Sequence, residues 1–225
     1  MKYQWILFDA DETLFYFDAF KGLQRMFTQF KINFTLSDFE IYQRVNKPLW
    51  VDYQDGRITA AQLQHKRFEY WAKKLSVTTR QLNSAFLMAM ADICTMLPGA
   101  EMLIKSLVGK VNMGIITNGF AELQTIRLQR TGLIEHFSPL VISEEVGVAK
   151  PHVDIFEHAF KQMNYPSKST ILMVGDNIHS DIQGGINAGI DTCWLNVAQA
   201  EKPADITPRY QIASLQELPP LLVKK

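Results

Sequence analysis

Hydrophobic and polar positions follow two different rhythms along this chain. Trp5-Ile6-Leu7-Phe8 is an unbroken apolar run that stops at Asp9-Ala10-Asp11-Glu12-Thr13. Such a run fits a strand buried on both faces of a parallel sheet, with Asp9 as its last residue. From about Phe17 to Cys94 the period becomes helical, and Phe17, Phe20, Leu23, Phe27 and Phe30 recur as one stripe. Ser37 with Glu40, Thr59 with Gln62 and Thr78 with Gln81 match the reciprocal capping pattern that opens helices. Gly56 separates the second helix from the third. These signals predict four helices near 18–31, 37–50, 60–75 and 79–94, packed as a small bundle.

Beyond Pro98-Gly99 strands and helices alternate. Helices are predicted near 99–109, up to Arg130, near 153–163, over 179–188 and from about Leu215. Strands are predicted over 111–116, 139–142, 170–175, 191–195 and 209–212, with a loop from Glu144 to Lys150. This alternation predicts an α/β fold, a Rossmann-like doubly wound parallel sheet with right-handed crossovers. The helical block after the first strand is too long to be a crossover. Residues 1–16 and 96–225 are therefore expected to form the core domain and 17–95 an inserted helical cap domain.

Composition narrows the function classes. The 225 residues, 47% apolar and 20% charged, are those of an ordinary globular chain. Basic and acidic residues balance at 23 each, so no basic field favours a nucleic-acid polymer. Cys94 and Cys193 lie far apart, without zinc or disulfide-framework spacing. No leader-like or membrane-length apolar stretch stands out. A cytoplasmic protein with no membrane association and no obligate protein partner is the expectation.

Chemistry enters when the predicted strand ends are collected. They supply Asp9 and Asp11, then Thr117 and Asn118, then Asp176, with Asp181 opening a helix and Lys150 closing a loop. Ligands of such sheets bind beyond the carboxyl ends of the strands. Asp9 and Asp11, two apart on an extended chain, share a face; their repulsion calls for a cation or a shared proton. Hard carboxylate oxygens suit Mg²⁺, which binds few protein groups together with substrate phosphate. A lysine and a hydroxyl beside it suit the remaining phosphoryl oxygens. A carboxylate can also attack phosphorus, splitting one hard step into two. Taken singly, Thr117, Lys150 and Asp181 could be a strand-end hydroxyl, a solvated charge and a helix cap. Their joint placement argues for one site.

The motifs Asp9-Ala10-Asp11-Glu12-Thr13, Thr117-Asn118, Lys150-Pro151 and Gly175-Asp176-Asn177-Ile178-His179-Ser180-Asp181 resemble, in that order, those of the haloacid dehalogenase superfamily of phosphotransferases. The likeness covers essentially the whole chain, and the helical insert matches the superfamily's C1 cap. More narrowly, the stretches 45–53, 114–120 and 141–151 are similar to those of bacterial pyrimidine 5′-nucleotidases, which dephosphorylate nucleotides such as dUMP and dTMP. The resemblance implies that Asp9 is the nucleophile and that Asp11 protonates the leaving oxygen, then activates water. It implies Mg²⁺, or Mn²⁺ in its place, held by Asp9, the Asp11 carbonyl and Asp176, with Asp181 in support. Thr117, Asn118 and Lys150 would hold the phosphoryl group, and Glu12 to Phe17 would be a mobile connection to the cap.

Substrate choice is expected in the cap, where Asn46, Lys47, Trp50 and Tyr53 combine amide, cation and aromatic groups suited to a base. Packing within the cap is an equally good reading of Trp50 and Tyr53. The expected function is a phosphomonoesterase acting on a small phosphorylated metabolite, a pyrimidine nucleoside monophosphate by the narrower resemblance. A sugar-phosphate phosphatase shares the core motifs and stays open. Asp11 argues against a haloalkanoate dehalogenase. The long cap argues against a phospho-accepting signalling receiver, which shares an acceptor Asp with Thr, Lys and Mg²⁺.

Overall fold

A computed structural model describes residues 1–223 of the chain. Strand β1 (Trp5–Phe8) is followed by helices α1 (Ala19–Thr28), α2 (Leu36–Gln54), α3 (Ala60–Lys66), α4 (Glu69–Leu75) and α5 (Thr79–Asp92). The βα alternation then runs α6 (Ala100–Leu107), β2 (Asn112–Thr117), α7 (Ala121–Arg130), β3 (Leu140–Ile142), α8 (Ser143–Val146), α9 (Val153–Gln162) and β4 (Ile171–Gly175). It closes with α10 (Gln183–Ala188), β5 (Asp191–Leu195), β6 (Tyr210–Ile212) and α11 (Leu218–Leu221).

The six strands form one sheet in the order β3-β2-β1-β4-β5-β6, every pair parallel. The sequence direction of strand addition reverses at β1, so the crevice beside its carboxyl end is the switch point where such sheets bind ligands. Side chains alternate across the strands, which explains their unbroken apolar character. Ile6 and Phe8 join one cluster with Leu103, Leu107 and the C-terminal Leu218, whereas Leu7 faces Ile116, Phe156 and Phe160 on the other side.

Helices α1 to α5 share a third cluster built on Leu23, Phe27, Phe34, Trp71 and Phe86. Leu23 and Phe27 of the predicted stripe are buried; Phe17, Phe20 and Phe30 pack against the cluster half-buried. Phe120, Leu123 and Ala149, from the strand-end loops and α7, belong to the same cluster. The chain leaves and re-enters the sheet side by side: Tyr16 N donates to Thr95 O at 3.0 Å and Leu97 N to Leu14 O at 2.9 Å.

Several predicted boundaries are corrected. The second helix opens at Leu36, capped reciprocally by Thr35 and Asp38 rather than by Ser37 and Glu40. Both pairs satisfy the local pattern. Packing selects the earlier one, because it lets Phe34 and Phe39 both meet Phe20, at 6.2 and 5.3 Å between centroids. That helix runs on through Pro48 to Gln54. The predicted third helix is two helices, broken at Arg67 and Phe68, where the backbone turns to φ −114°, ψ 2°. The predicted loop from Glu144 opens with the short α8, and a π-helical turn over Ile178–Ile182 precedes α10.

Candidate active site

Three neighbouring strands deliver the central groups. Asp9 N donates to Val174 O at 2.9 Å, carrying β1 one residue further and setting the Asp9 side chain at the sheet's carboxyl edge. Lys150 arrives from the segment after α8, and its Nζ donates to Asp9 Oδ1 at 2.6 Å and to Ile116 O at 2.5 Å. The same Nζ pairs with Asp181 Oδ1 at 2.7 Å. Asn118 fixes the main chain there: its Oδ1 accepts from Lys150 N at 2.8 Å and its Nδ2 donates to Lys150 O at 2.9 Å. The Asn118 side chain thus holds the lysine in place. Thr117 is buried, and its hydroxyl accepts from Gly119 N at 3.0 Å.

Asp176 follows β4 and is tied to the first motif through Thr13, whose hydroxyl accepts from Asp176 N at 3.1 Å and lies 3.3 Å from Asp176 Oδ1. Trp194 Nε1 donates to Asp176 O at 2.7 Å. Asp181 reaches back across the π-helical turn: its Oδ2 accepts from Asn177 N at 3.0 Å and its Oδ1 from the Ser180 hydroxyl at 3.1 Å. Gly175 makes that return possible, since a Cβ there would lie 2.3 Å from Asp181 Oδ2.

Asp9, Asp176 and Asp181 each offer an oxygen within 4.8 Å of the others. Lys150 sets one positive charge against these three carboxylates. Burial, reinforced by the Asp181 and Asp11 charges against the opposing pull of Lys150, raises the Asp9 carboxyl to about 7. Burial, with Asp181 and Asp9, raises Asp176 to about 8, again opposed by Lys150. Burial alone would lower the Lys150 ammonium, but Asp181 and Asp9 outweigh it and shift its pKa upward. The cluster carries more negative charge than its lysine balances, and its oxygens suit a hard divalent cation. These residues could hold a metal ion.

The cavity in front of Asp9 measures about 240 Å³. Asp9, Asp11, Lys150 and Asp176 line one part of it; Trp50, Gln54, Arg67, Leu87, Phe120 and Leu123 line another. Asp11 is held by Arg127 of α7, whose Nη1 donates to Asp11 Oδ1 at 2.7 Å and whose Nη2 donates to Gln124 Oε1 at 2.6 Å. Of the residues expected to read substrate, only Trp50 lines this cavity. Tyr53 is buried and donates to Ser143 Oγ at 2.7 Å, tying α2 to α8. Asn46 accepts from the Tyr42 hydroxyl at 3.2 Å and lines a separate depression beside Phe39, while Lys47 is exposed.

Arg67, Arg127 and Phe120 went unrecognised in the sequence. Arginines buried at helices read as surface charges in an amphipathic pattern, and the pairing of Asp11 with Arg127, 116 residues further along the chain, exists only in space. The one available signal for Phe120 was its place directly after Thr117-Asn118-Gly119.

A family model described as haloacid dehalogenase-like hydrolase matches residues 3–189. The chain belongs to the haloacid dehalogenase-like hydrolases. Within this family it is 58% identical over 224 residues to the pyrimidine 5′-nucleotidase YjjG of Escherichia coli, covering 100% of both chains. It is 33% identical to the pyrimidine 5′-nucleotidase PynA of Streptococcus pneumoniae, over 97% of this chain and 94% of that one. A crystal structure of YfnB from Bacillus subtilis bound to magnesium superposes with a TM-score of 0.85 at 30% identity, covering 99% of each chain. Among the described residues no helix is long and apolar enough to cross a membrane.

Proposed function

We propose that the protein is a pyrimidine nucleoside 5′-monophosphate phosphatase that works through a phosphoryl group carried on Asp9. The observation that carries this reading is the Asp9 carboxylate itself: at the sheet's switch point, on the cavity wall, 2.6 Å from a buried ammonium. The 58% identity over the full chain to a named pyrimidine 5′-nucleotidase supports the substrate class.

Asp9, Asp176 and the Asp11 carbonyl would hold Mg²⁺, with Asp181 steadying Asp176's side of the cluster; Mn²⁺ has the same preference for oxygen. When bound, the cation neutralises charge on the phosphoryl oxygens. Lys150 orients Asp9 and favours its ionised form against burial, and with Thr117 it faces the phosphoryl group. An Asp9 oxygen forms a bond to phosphorus as the bond to the nucleoside's 5′ oxygen breaks, and Asp11 gives that oxygen its proton. Water then attacks the same phosphorus, Asp11 takes back a proton, and the Asp9–phosphorus bond breaks to release phosphate. Residues 17–95 act in this reading as a cap that excludes water during these steps.

A phosphate-release screen across pyrimidine and purine nucleoside monophosphates and hexose and pentose phosphates tests the reading. Highest kcat/KM on dUMP, dTMP or UMP is the expected result. A preference for hexose phosphates would leave the phosphatase chemistry standing and overturn the nucleotide assignment.

A further inference from the structure

Arg67 has a position that the phosphoryl chemistry does not use. It is 4% exposed, at the break between α3 and α4, on the part of the cavity wall formed by the helical block. Its Nε donates to Asn83 Oδ1 at 3.1 Å and its Nη2 to the same oxygen. Among the described residues the buried ion pairs go to Arg127 and Lys150. The neighbours of Arg67 among the described residues are neutral side chains, the Asn83 amide and the Tyr42 hydroxyl, and three aromatic faces, those of Phe68, Phe86 and Phe120, 5.2, 5.2 and 4.9 Å from its Cζ. Glu144 is the carboxylate whose charge reaches it, through the side chains described next.

A guanidinium has five N–H donors and no acceptor, and a buried cation without a counter-charge is costly unless hydrogen bonds satisfy it. Burial lowers the Arg67 pKa against the opposing pull of Tyr42 and Glu144. Its orientation is nonetheless fixed. Asn83 Nδ2 donates to Gln64 Oε1 at 3.1 Å, Gln64 Nε2 donates to Glu144 Oε1 at 2.5 Å, and Glu144 Oε2 accepts from Ala121 N at 2.9 Å. A relay of side chains thus runs from the guanidinium to α8 and the start of α7.

The rest of the cavity says what would complete this arginine. Trp50 and Phe120 lie 5.4 Å apart between centroids, tilted by 34°, and leave flat apolar surface beside the guanidinium. The cavity of about 240 Å³ runs from Asp9 to these rings. A flat ring carrying acceptors on its edge fits this surface.

We propose that Arg67 is a specificity-determining residue whose guanidinium donates to an acceptor on the edge of the pyrimidine base. This inference rests on the nucleotidase reading and assigns its base-recognition contact. The contact is remote from phosphorus and is made in ground and transition states alike, so its loss raises KM more than it lowers kcat.

The test compares wild type, Arg67→Met and Arg67→Gln on dUMP, 2-deoxyribose 5-phosphate and p-nitrophenyl phosphate. Arg67→Gln retains an amide that can bond Asn83, which guards against a misfolded Met variant, and p-nitrophenyl phosphate turnover reports an intact core. Both variants should lose roughly ten- to hundredfold in kcat/KM on dUMP, the size of a lost charge-assisted hydrogen bond, chiefly through KM. 2-Deoxyribose 5-phosphate, which carries no ring and no edge acceptor, should change less than threefold. An equal fall on dUMP and deoxyribose phosphate, or no fall on dUMP, overturns the role of Arg67 while leaving the nucleotidase reading in place. Wild-type enzyme that does not prefer dUMP to deoxyribose phosphate overturns both.

Discussion

Arg127 Nη1 lies 2.7 Å from Asp11 Oδ1, and its side chain is 1% exposed whereas that of Asp11 is 26% exposed. The cation is therefore anchored in the protein, stacked 4.5 Å above the Phe15 ring, and the carboxylate stands between it and the cavity. The pair joins α7 to the loop after β1. It sets the side-chain orientation of the residue assigned to move protons.

Arg127→Met should lower kcat on p-nitrophenyl phosphate by roughly 10²-fold, the low end of what positioned acid–base groups supply. It should also destabilise the fold by about 3 kcal/mol, the low end for breaking a buried ion pair, because Asp11 keeps some solvent. Steady-state kinetics and denaturant titration measure the two effects separately. Unchanged kcat in a folded Arg127→Met protein would remove the arginine from the proton-transfer account.

Asp9→Asn should abolish turnover, since no carboxylate then faces phosphorus. Asp11→Asn should instead slow both halves of the reaction, by roughly 10²–10⁴-fold overall. Intact-mass spectrometry after mixing with substrate should find a phosphoryl adduct on the Asp11→Asn protein and none on Asp9→Asn. An adduct on the Asp9→Asn protein would place the nucleophile elsewhere.

Chelation with EDTA should stop phosphate release, and Mg²⁺ or Mn²⁺ should restore it. Asp9 and Asp176, raised to about 7 and 8 by burial and by neighbouring carboxylates, Asp181 foremost, mark where a cation relieves the fold. Added Mg²⁺ should therefore raise the melting temperature of chelated protein, and Asp176→Asn should weaken that response. Full activity in EDTA would contradict the metal assignment.

Gly175→Ala should impair the site without touching substrate. The new methyl would stand 2.3 Å from Asp181 Oδ2, so the carboxylate that shares Lys150 with Asp9 must move. Higher Mg²⁺ concentration for half-maximal activity is the expected readout, against an unaltered circular dichroism spectrum.

Trp50→Ala should reduce kcat/KM on dUMP by roughly ten- to hundredfold, the value of one base stacked on an aromatic ring. Turnover of p-nitrophenyl phosphate should fall much less. Equal losses on both substrates would make Trp50 a packing residue between Tyr53 and Phe120, which it touches at 5.9 and 5.4 Å between centroids.

The clustering of Asp9, Asp176, Asp181 and Lys150 was legible because each contributing strand is an apolar run that stops at a polar residue, and the sheet then gathers those stops at one edge. The parallel, doubly wound character of the sheet followed from the same alternation. The helical block was legible in type but less so in register. Thr35–Asp38 and Ser37–Glu40 are locally equivalent, and only the packing of Phe34 and Phe39 on Phe20 separates them. Asn46 and Trp50 are one helical turn apart, yet they line different depressions, because α2 passes the cavity only with its C-terminal end. Arg67 was hidden for a further reason. It continues the buried Ala60 and Leu63 face of α3 one turn on, just before the break at Phe68, where a charged residue reads as a solvated one.

The two hydrogen bonds between 14–16 and 95–97 bring the ends of the helical block together before any of its residues contributes. Closing a loop is costly mainly through joining its ends; doubling the length enclosed adds only about 0.6 kcal/mol. The paired passes therefore act as a socket. The length of the helical block between them is thus nearly free in loop entropy, and what binds this block to the sheet in particular is the cluster it shares with Phe120, Leu123 and Ala149.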